Sequence, residues 1–217
     1  MRSSEYADMR RKVIEASLMA KATGLIRGTS GNVSLRSADG RVIAITPSGI
    51  PYDRLSEEDV PLVSLEGDIL DARNKPSSEL LMHLAAYGAR CDCQAVVHTH
   101  SVFATAYGMT GKTLEPATVP HLACCRAPLR VAPFALPGTK ELAEAAVKGL
   151  GDTAKAVYLE NHGLLAIGTD LDDAYECAEY AEEAAQIACY ALMMHCLKPI
   201  PEEARGPLLK IMETRKV

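Results

Sequence analysis

Short runs of β-branched and aliphatic residues recur along the 217-residue chain, each set off from the next by a glycine turn or a stretch with helical spacing. Such runs bury themselves most readily as a sheet flanked by helices. Val33-Ser34-Leu35 and Arg41-Val42-Ile43-Ala44-Ile45, joined across Asp39-Gly40, read as a β-hairpin, and residues 60–65 followed by Gly67-Asp68-Ile69-Leu70 read as another. Ala95-Val96-Val97-His98-Thr99-His100 is a strand by its β-branched content, and residues 129–134, 156–159 and 164–167 supply more. Helices are expected at 6–23, 78–89, 102–107, 140–150 and 171–195. Pro76-Ser77-Ser78-Glu79 opens the second of these, and Asp170 and Pro199 bracket the last. No repeat, low-complexity tract or linker divides the chain, so one domain over residues 1–217 is expected, an α/β mixed sheet covered by helices.

Composition narrows the function classes. With 48% hydrophobic residues the chain can bury a sizeable core, and with no Trp and only two Phe that core must be aliphatic. The same scarcity argues against base-stacking platforms, and 23 Lys plus Arg against 28 Asp plus Glu leave a net charge of -5, unsuited to a nucleic-acid backbone. The longest apolar run, 187–194, is too short to span a bilayer and no apolar segment follows Met1, so a cytoplasmic protein without membrane partners is expected. Seven scattered cysteines form no even framework, and neither Cys91-Asp92-Cys93 nor Cys124-Cys125 has zinc-knuckle spacing; reduced thiols are expected.

His98-Thr99-His100 carries the chemistry. Residues i and i+2 of a strand project to one face, where two imidazoles can share a metal. His162, in Glu160-Asn161-His162-Gly163 after another strand, is a third candidate, its glycine permitting a tight turn. Three histidines and an open position describe a catalytic zinc site. Glu79, at a helix start beside two hydroxyls, is the preferred base, with Glu160 its competitor; His83, His121 and His195 have no comparable setting and read as structural.

A second set is polar but lacks lysine: Gly28-Thr29-Ser30-Gly31-Asn32, Thr46-Pro47-Ser48-Gly49 and Ser77-Ser78. Glycine-turn amides, hydroxyls and a helix N-terminus can together bind a phosphate dianion, although each segment alone also serves as a turn or cap. Neither a Walker loop nor a dinucleotide fingerprint is present, so the ligand would be a small phosphate ester.

With Ser30-Gly31-Asn32-Val33-Ser34, Ile45-Thr46-Pro47-Ser48-Gly49-Ile50-Pro51, Pro76-Ser77-Ser78-Glu79, Val96-Val97-His98-Thr99-His100 and Asn161-His162-Gly163-Leu164 in this order, the chain resembles the class II aldolase/adducin family nearly end to end. The resemblance implies a three-layer αβα sandwich with a mostly antiparallel central sheet, assembled as a homotetramer with active sites at subunit interfaces. It implies Zn2+ (or Mn2+ or Co2+) on His98, His100 and His162, with Glu79 as proton-transfer residue and further ligand. It assigns the substrate phosphate to Asn32, Ser48, Gly49, Ser77 and Ser78, with Thr29 and Gly31 lining that pocket. Epimerases of the family carry Asp where Glu79 stands, which favours an aldolase. Two tyrosines that serve the aldehyde side in family members have no counterpart here, in 118–124 or close to Arg215.

The expected reaction is reversible cleavage of a ketose 1-phosphate, L-fuculose 1-phosphate or a related 5-deoxy or methylthio pentulose phosphate, to dihydroxyacetone phosphate and an aldehyde. Alternatives on the same site are a sugar-phosphate 4-epimerase, a methylthioribulose-1-phosphate dehydratase and a sugar-acid phosphate decarboxylase. The alternative of another class is a non-catalytic adducin-like scaffold, which would have no use for the histidines and Glu79.

Overall fold

The aliphatic runs pair into one eight-stranded sheet in the computed structural model of the protein, which describes residues 2–215. In chain order the elements are α1 (Arg2–Ala22), β1 (Asn32–Arg36), β2 (Val42–Ile45), β3 (Leu62–Ser64), β4 (Ile69–Asp71), α2 (Leu80–Ala89), β5 (Ala95–Thr99), α3 (Val102–Gly108), α4 (Val119–Cys125), β6 (Val131–Ala132), α5 (Lys140–Leu150), β7 (Ala156–Leu159), β8 (Gly163–Gly168), α6 (Leu171–Met193) and α7 (Glu202–Arg215). Two short 3₁₀ turns, Tyr52–Arg54 and Glu57–Asp59, link β2 to β3.

The strands lie in the order β4-β3-β2-β1-β5-β8-β7-β6. Their period-two alternation splits the apolar residues into two clusters, one per face. Val42 and Ala44, Val97, Tyr158, and Leu164 and Ala166 join residues of α1, α3 and α6, whereas Ile43 and Ile45, Val96, Val157, and Leu165 and Ile167 join residues of α2 and α5. Helix α6 packs on β5 and β8 through the small residues Ala174, Ala178, Ala181 and Ala185, all fully buried. Small side chains let the helix backbone lie close to the sheet.

Several expectations are corrected. The resemblance implied a mostly antiparallel sheet; the observed sheet is mixed, as the residue pattern alone indicated, with β6 and β7 parallel and the remaining pairings antiparallel. The α5 crossover between β6 and β7 is what makes that edge pair parallel. β6 spans two residues rather than the six of 129–134. Helix α6 stops at Met193, because His195 takes a left-handed φ of 53°; the chain has turned before Pro199 is reached. Helices α4 and α7 were not foreseen. α4 is one short segment whose signals, the Thr118 cap accepting the His121 N–H and Pro120 in the first turn, are local, and α7 carries Pro207 inside and no clean apolar stripe.

Candidate active site

Central strand β5 delivers the histidine pair. His98 is its fourth residue, paired with Asn32 of β1 on one side and Leu165 of β8 on the other, and His100 stands just beyond the strand end. His162 arrives from the β7–β8 turn. There the left-handed residue is Asn161, with φ 54°, and Gly163 serves another purpose than the expected turn: a Cβ on it would lie 2.1 Å from the Thr99 carbonyl oxygen. That bare backbone contact brings the β7–β8 turn against the end of β5.

Three Nε2 atoms converge. His100 Nε2 lies 3.0 Å from His98 Nε2 and 3.1 Å from His162 Nε2. Glu79, the residue capping the start of α2, completes the cluster with Oε2 3.0 Å from His98 Nε2 and Oε1 3.1 Å from His162 Nε2. Burial alone would raise the Glu79 carboxyl, but the contacts with His162 and His98 and the bond from Asn32 outweigh it and hold the group well below the usual carboxylate range. Burial, reinforced by His98 and His162, pushes His100 down to about 4, which keeps its ring neutral at pH 7.

This donor set fits a divalent cation. A carbonyl can only accept, so His98 Nδ1 donates to Leu164 O at 2.8 Å and its Nε2 presents a bare lone pair to the cluster. With metal–nitrogen bonds of about 2.0–2.1 Å the edges of a tetrahedral site are roughly 3.3 Å, close to the separations among these atoms. Glu79 Oε1 is also buried without an aligned hydrogen bond. Among the described residues, Glu79, His98, His100 and His162 are the group whose ligand atoms all lie within 4.8 Å of one another.

Beside the cluster opens a pocket of about 370 Å³, lined by every residue expected at the phosphate: Thr29, Gly31, Asn32, Ser48, Gly49, Ser77 and Ser78, together with Glu79, His100 and His162. The loops meet because Ser48 N–H donates to Lys75 O and Ser77 N–H to Thr46 O, a bridge that pins 46–49 against 75–77. Those two amides are thereby occupied by the loops' own pairing, leaving hydroxyls, the remaining turn amides and the α2 N-terminus facing the pocket.

Two residues carry contacts that the sequence does not reveal. Glu160, the competing base, turns its carboxylate to accept the Phe134 N–H at 2.9 Å. Asn32, expected at the phosphate, lines the pocket but donates Nδ2–H to Glu79 Oε2 at 3.0 Å and holds His83 Nε2 with its Oδ1. His83, read as structural, is therefore tied to the cluster through one side chain; its spacing of four residues from Glu79 was the signal available in the sequence. The side chain of Arg215 lies outside the described residues.

The fold and this cluster together define an α/β protein with a candidate His3Glu metal site, and similarity to known proteins supplies its family. The profile described as Class II Aldolase and Adducin N-terminal domain matches residues 11–189. The chain is 39% identical to the 5-deoxy-D-ribulose 1-phosphate aldolase of Bacillus thuringiensis serovar kurstaki, over 88% of this chain and 89% of that protein. It is 34% identical to the L-fuculose phosphate aldolase of Escherichia coli K12, over 98% and 96%. It is also 36% identical to the 3-oxo-tetronate 4-phosphate decarboxylase of Haemophilus influenzae, over 76% and 79%. A solved L-fuculose 1-phosphate aldolase superposes with a TM-score of 0.90 at 32% identity, covering 95% of this chain and 96% of the other. The chain belongs to the class II aldolase and adducin family.

Proposed function

We propose that the protein is a metal-dependent aldolase that reversibly cleaves a ketose 1-phosphate, of the L-fuculose or 5-deoxypentulose type, to dihydroxyacetone phosphate and an aldehyde. The observation that carries this reading is the convergence of three imidazole Nε2 atoms and one carboxylate at the mouth of a pocket lined by neutral donors. His98, His100, His162 and Glu79 would hold the cation, Zn2+ by the donor set, with Mn2+ or Co2+ as substitutes. When bound, the cation supplies Lewis acidity that stabilises negative charge on the substrate's oxygens as the C3–C4 bond breaks.

The chain's own residues do the rest. Thr29, Gly31, Asn32, Ser48, Gly49, Ser77 and Ser78 would orient the phosphate, fixing C3 relative to Glu79. In synthesis the Glu79 carboxylate takes the proton from C3 of dihydroxyacetone phosphate; in cleavage the carboxylic acid returns it to the enediolate. The reading extends to one domain over residues 1–217 with a three-layer αβα arrangement, a homotetramer and a cytoplasmic location; no helix of the described residues is long and apolar enough to cross a membrane.

Incubating the purified protein with ketose 1-phosphates, ketose 5-phosphates, methylthioribulose 1-phosphate and a 3-oxo sugar-acid phosphate, with product identification, tests it. Dihydroxyacetone phosphate plus an aldehyde is the expected outcome. The decarboxylase relative supports a second reading on the same site, and carbon dioxide as product would establish that one instead.

A further inference from the structure

Glu79, His83 and Tyr87 stand four residues apart along one face of α2, and Asn32 and Ser34 stand two apart along one face of β1. The two rows interleave as a ladder. Asn32 Nδ2 meets Glu79 Oε2 at 3.0 Å, His83 Nε2 meets Asn32 Oδ1, Ser34 Oγ meets His83 Nδ1 at 2.7 Å, and Tyr87 Oη meets Ser34 Oγ at 2.7 Å. All five side chains are buried, His83 and Ser34 completely. Apolar side chains of similar size would pack α2 on β1 without a partner requirement, so a fully connected polar ladder here calls for a purpose.

The direction of every bond follows from one end. A carboxylate only accepts, so Asn32 must present its NH₂ to Glu79 and its carbonyl to His83. His83 Nε2 must then donate, and a neutral ring leaves Nδ1 to accept. Ser34 donates its hydroxyl to that nitrogen and in turn accepts from Tyr87. Burial pushes His83 down to about 3, in keeping with the neutral ring. Four successive donations thus run from Tyr87 to the Glu79 carboxylate, each locking the donor assignment of the next.

We infer that His83 and Ser34 are positioning residues for Glu79: by fixing the tautomer of His83 they fix which end of the Asn32 amide faces the carboxylate, and so hold Glu79 Oε2 in place for metal ligation and proton transfer. A reversed Asn32 would set its carbonyl against a carboxylate. The inference rests on the proposed role of Glu79 in the aldolase reaction.

The test compares wild type with His83→Met, which fills the space without donors, and His83→Gln, which can restore the donation to Asn32. Two readouts are taken on the Co2+-loaded proteins: the visible absorption of the cobalt, and the rate of solvent deuterium exchange at C3 of dihydroxyacetone phosphate. His83→Met should shift the cobalt spectrum and slow exchange at saturation about 10- to 100-fold, with KM changed by no more than about twofold. His83→Gln should recover most of both. Ser34→Ala, a smaller change that serves if His83→Met does not fold, should shift both readouts in the same direction. A wild-type spectrum and rate in His83→Met, or in Ser34→Ala where His83→Met does not fold, overturns the inference, and so does equal impairment of His83→Met and His83→Gln. If wild type itself exchanges no proton, the aldolase reading fails, and the cobalt spectra alone decide whether His83 positions Glu79.

Discussion

At the scale of single residues, removal of His98, Glu79 or Ser77 should have distinct effects. His98 is fully buried, its Nδ1 held by Leu164 O, so His98→Ala should cost most of the bound metal while circular dichroism stays that of the folded protein. Metal content equal to wild type by elemental analysis would remove His98 from the ligand set. Glu79→Gln should nearly abolish deuterium exchange at C3 of dihydroxyacetone phosphate, a loss of about 10² to 10⁴ in rate, with metal largely retained by the three imidazoles. Near-normal exchange would move the proton-transfer role elsewhere; Glu160 is a poor successor, since its carboxylate already caps the Phe134 N–H. Ser77 accepts the Glu79 N–H through Oγ, which leaves its hydroxyl hydrogen for a ligand. Ser77→Ala should weaken a phosphorylated sugar by about 1.5 to 3 kcal/mol and leave its dephosphorylated counterpart nearly unaffected, as isothermal titration of both would reveal.

At the scale of elements, the site exists because strand ends are brought together by backbone contacts that tolerate no side chain. Gly163 is the clearest case. Its hydrogen faces Thr99 O where a Cβ would sit at 2.1 Å, so Gly163→Ala must push β8 away from the end of β5 and His162 away from His98 and His100. A loss of roughly 3 kcal/mol or more is expected from such backbone overpacking, together with weakened metal binding. Thermal unfolding of the metal-free protein and a metal titration would measure the two separately. Elements of this kind were unevenly legible. β5 and the start of α2 stood out because their patterns are strong and local, a β-branched run and a Pro-Ser-Ser-Glu cap. Helix α4 did not, since seven residues are too few for a period to emerge, and the 129–134 run marks β6 but not its length of two residues.

At the scale of the whole molecule, buried titrating groups and exposed apolar surface set the expectations. His121 is fully buried, its Nδ1 accepting the Ala117 N–H, and burial pushes it from the ordinary 6.5 down to about 4. A base whose pKa is depressed by folding binds protons better when unfolded, so its contribution is fully present above pH 6.5 and is lost as pH falls towards about 4. His121→Asn, which keeps an acceptor for Ala117 but cannot titrate, should flatten that part of the acid limb in urea denaturation followed from pH 7 downwards. Phe134, Leu136, Tyr190, Met193 and Met194 are exposed, apolar and large, side chains of the kind that association covers. Light scattering at micromolar concentration should give the mass of a tetramer, and a monomer would overturn the assembly proposed here.

What the sequence determined by itself was whatever depends on neighbours along the chain. Period two placed His98 and His100 together, the Ser77-Ser78-Glu79 cap put a carboxylate at the start of a helix, and short β-branched runs demanded a covered sheet. Tertiary structure decided everything that depends on which strands become adjacent. Only the pairing of β5 with β8 could bring His162 within 3.1 Å of His100, and only the approach of β1 to α2 could set Asn32 between Glu79 and His83. The ties of Asn32 to Glu79 and His83, and of Glu160 to Phe134, are hidden from the sequence for the same reason. A side chain's donors and acceptors are visible in its name, but the partners that claim them belong to segments tens of residues away, and long-range packing alone makes that choice.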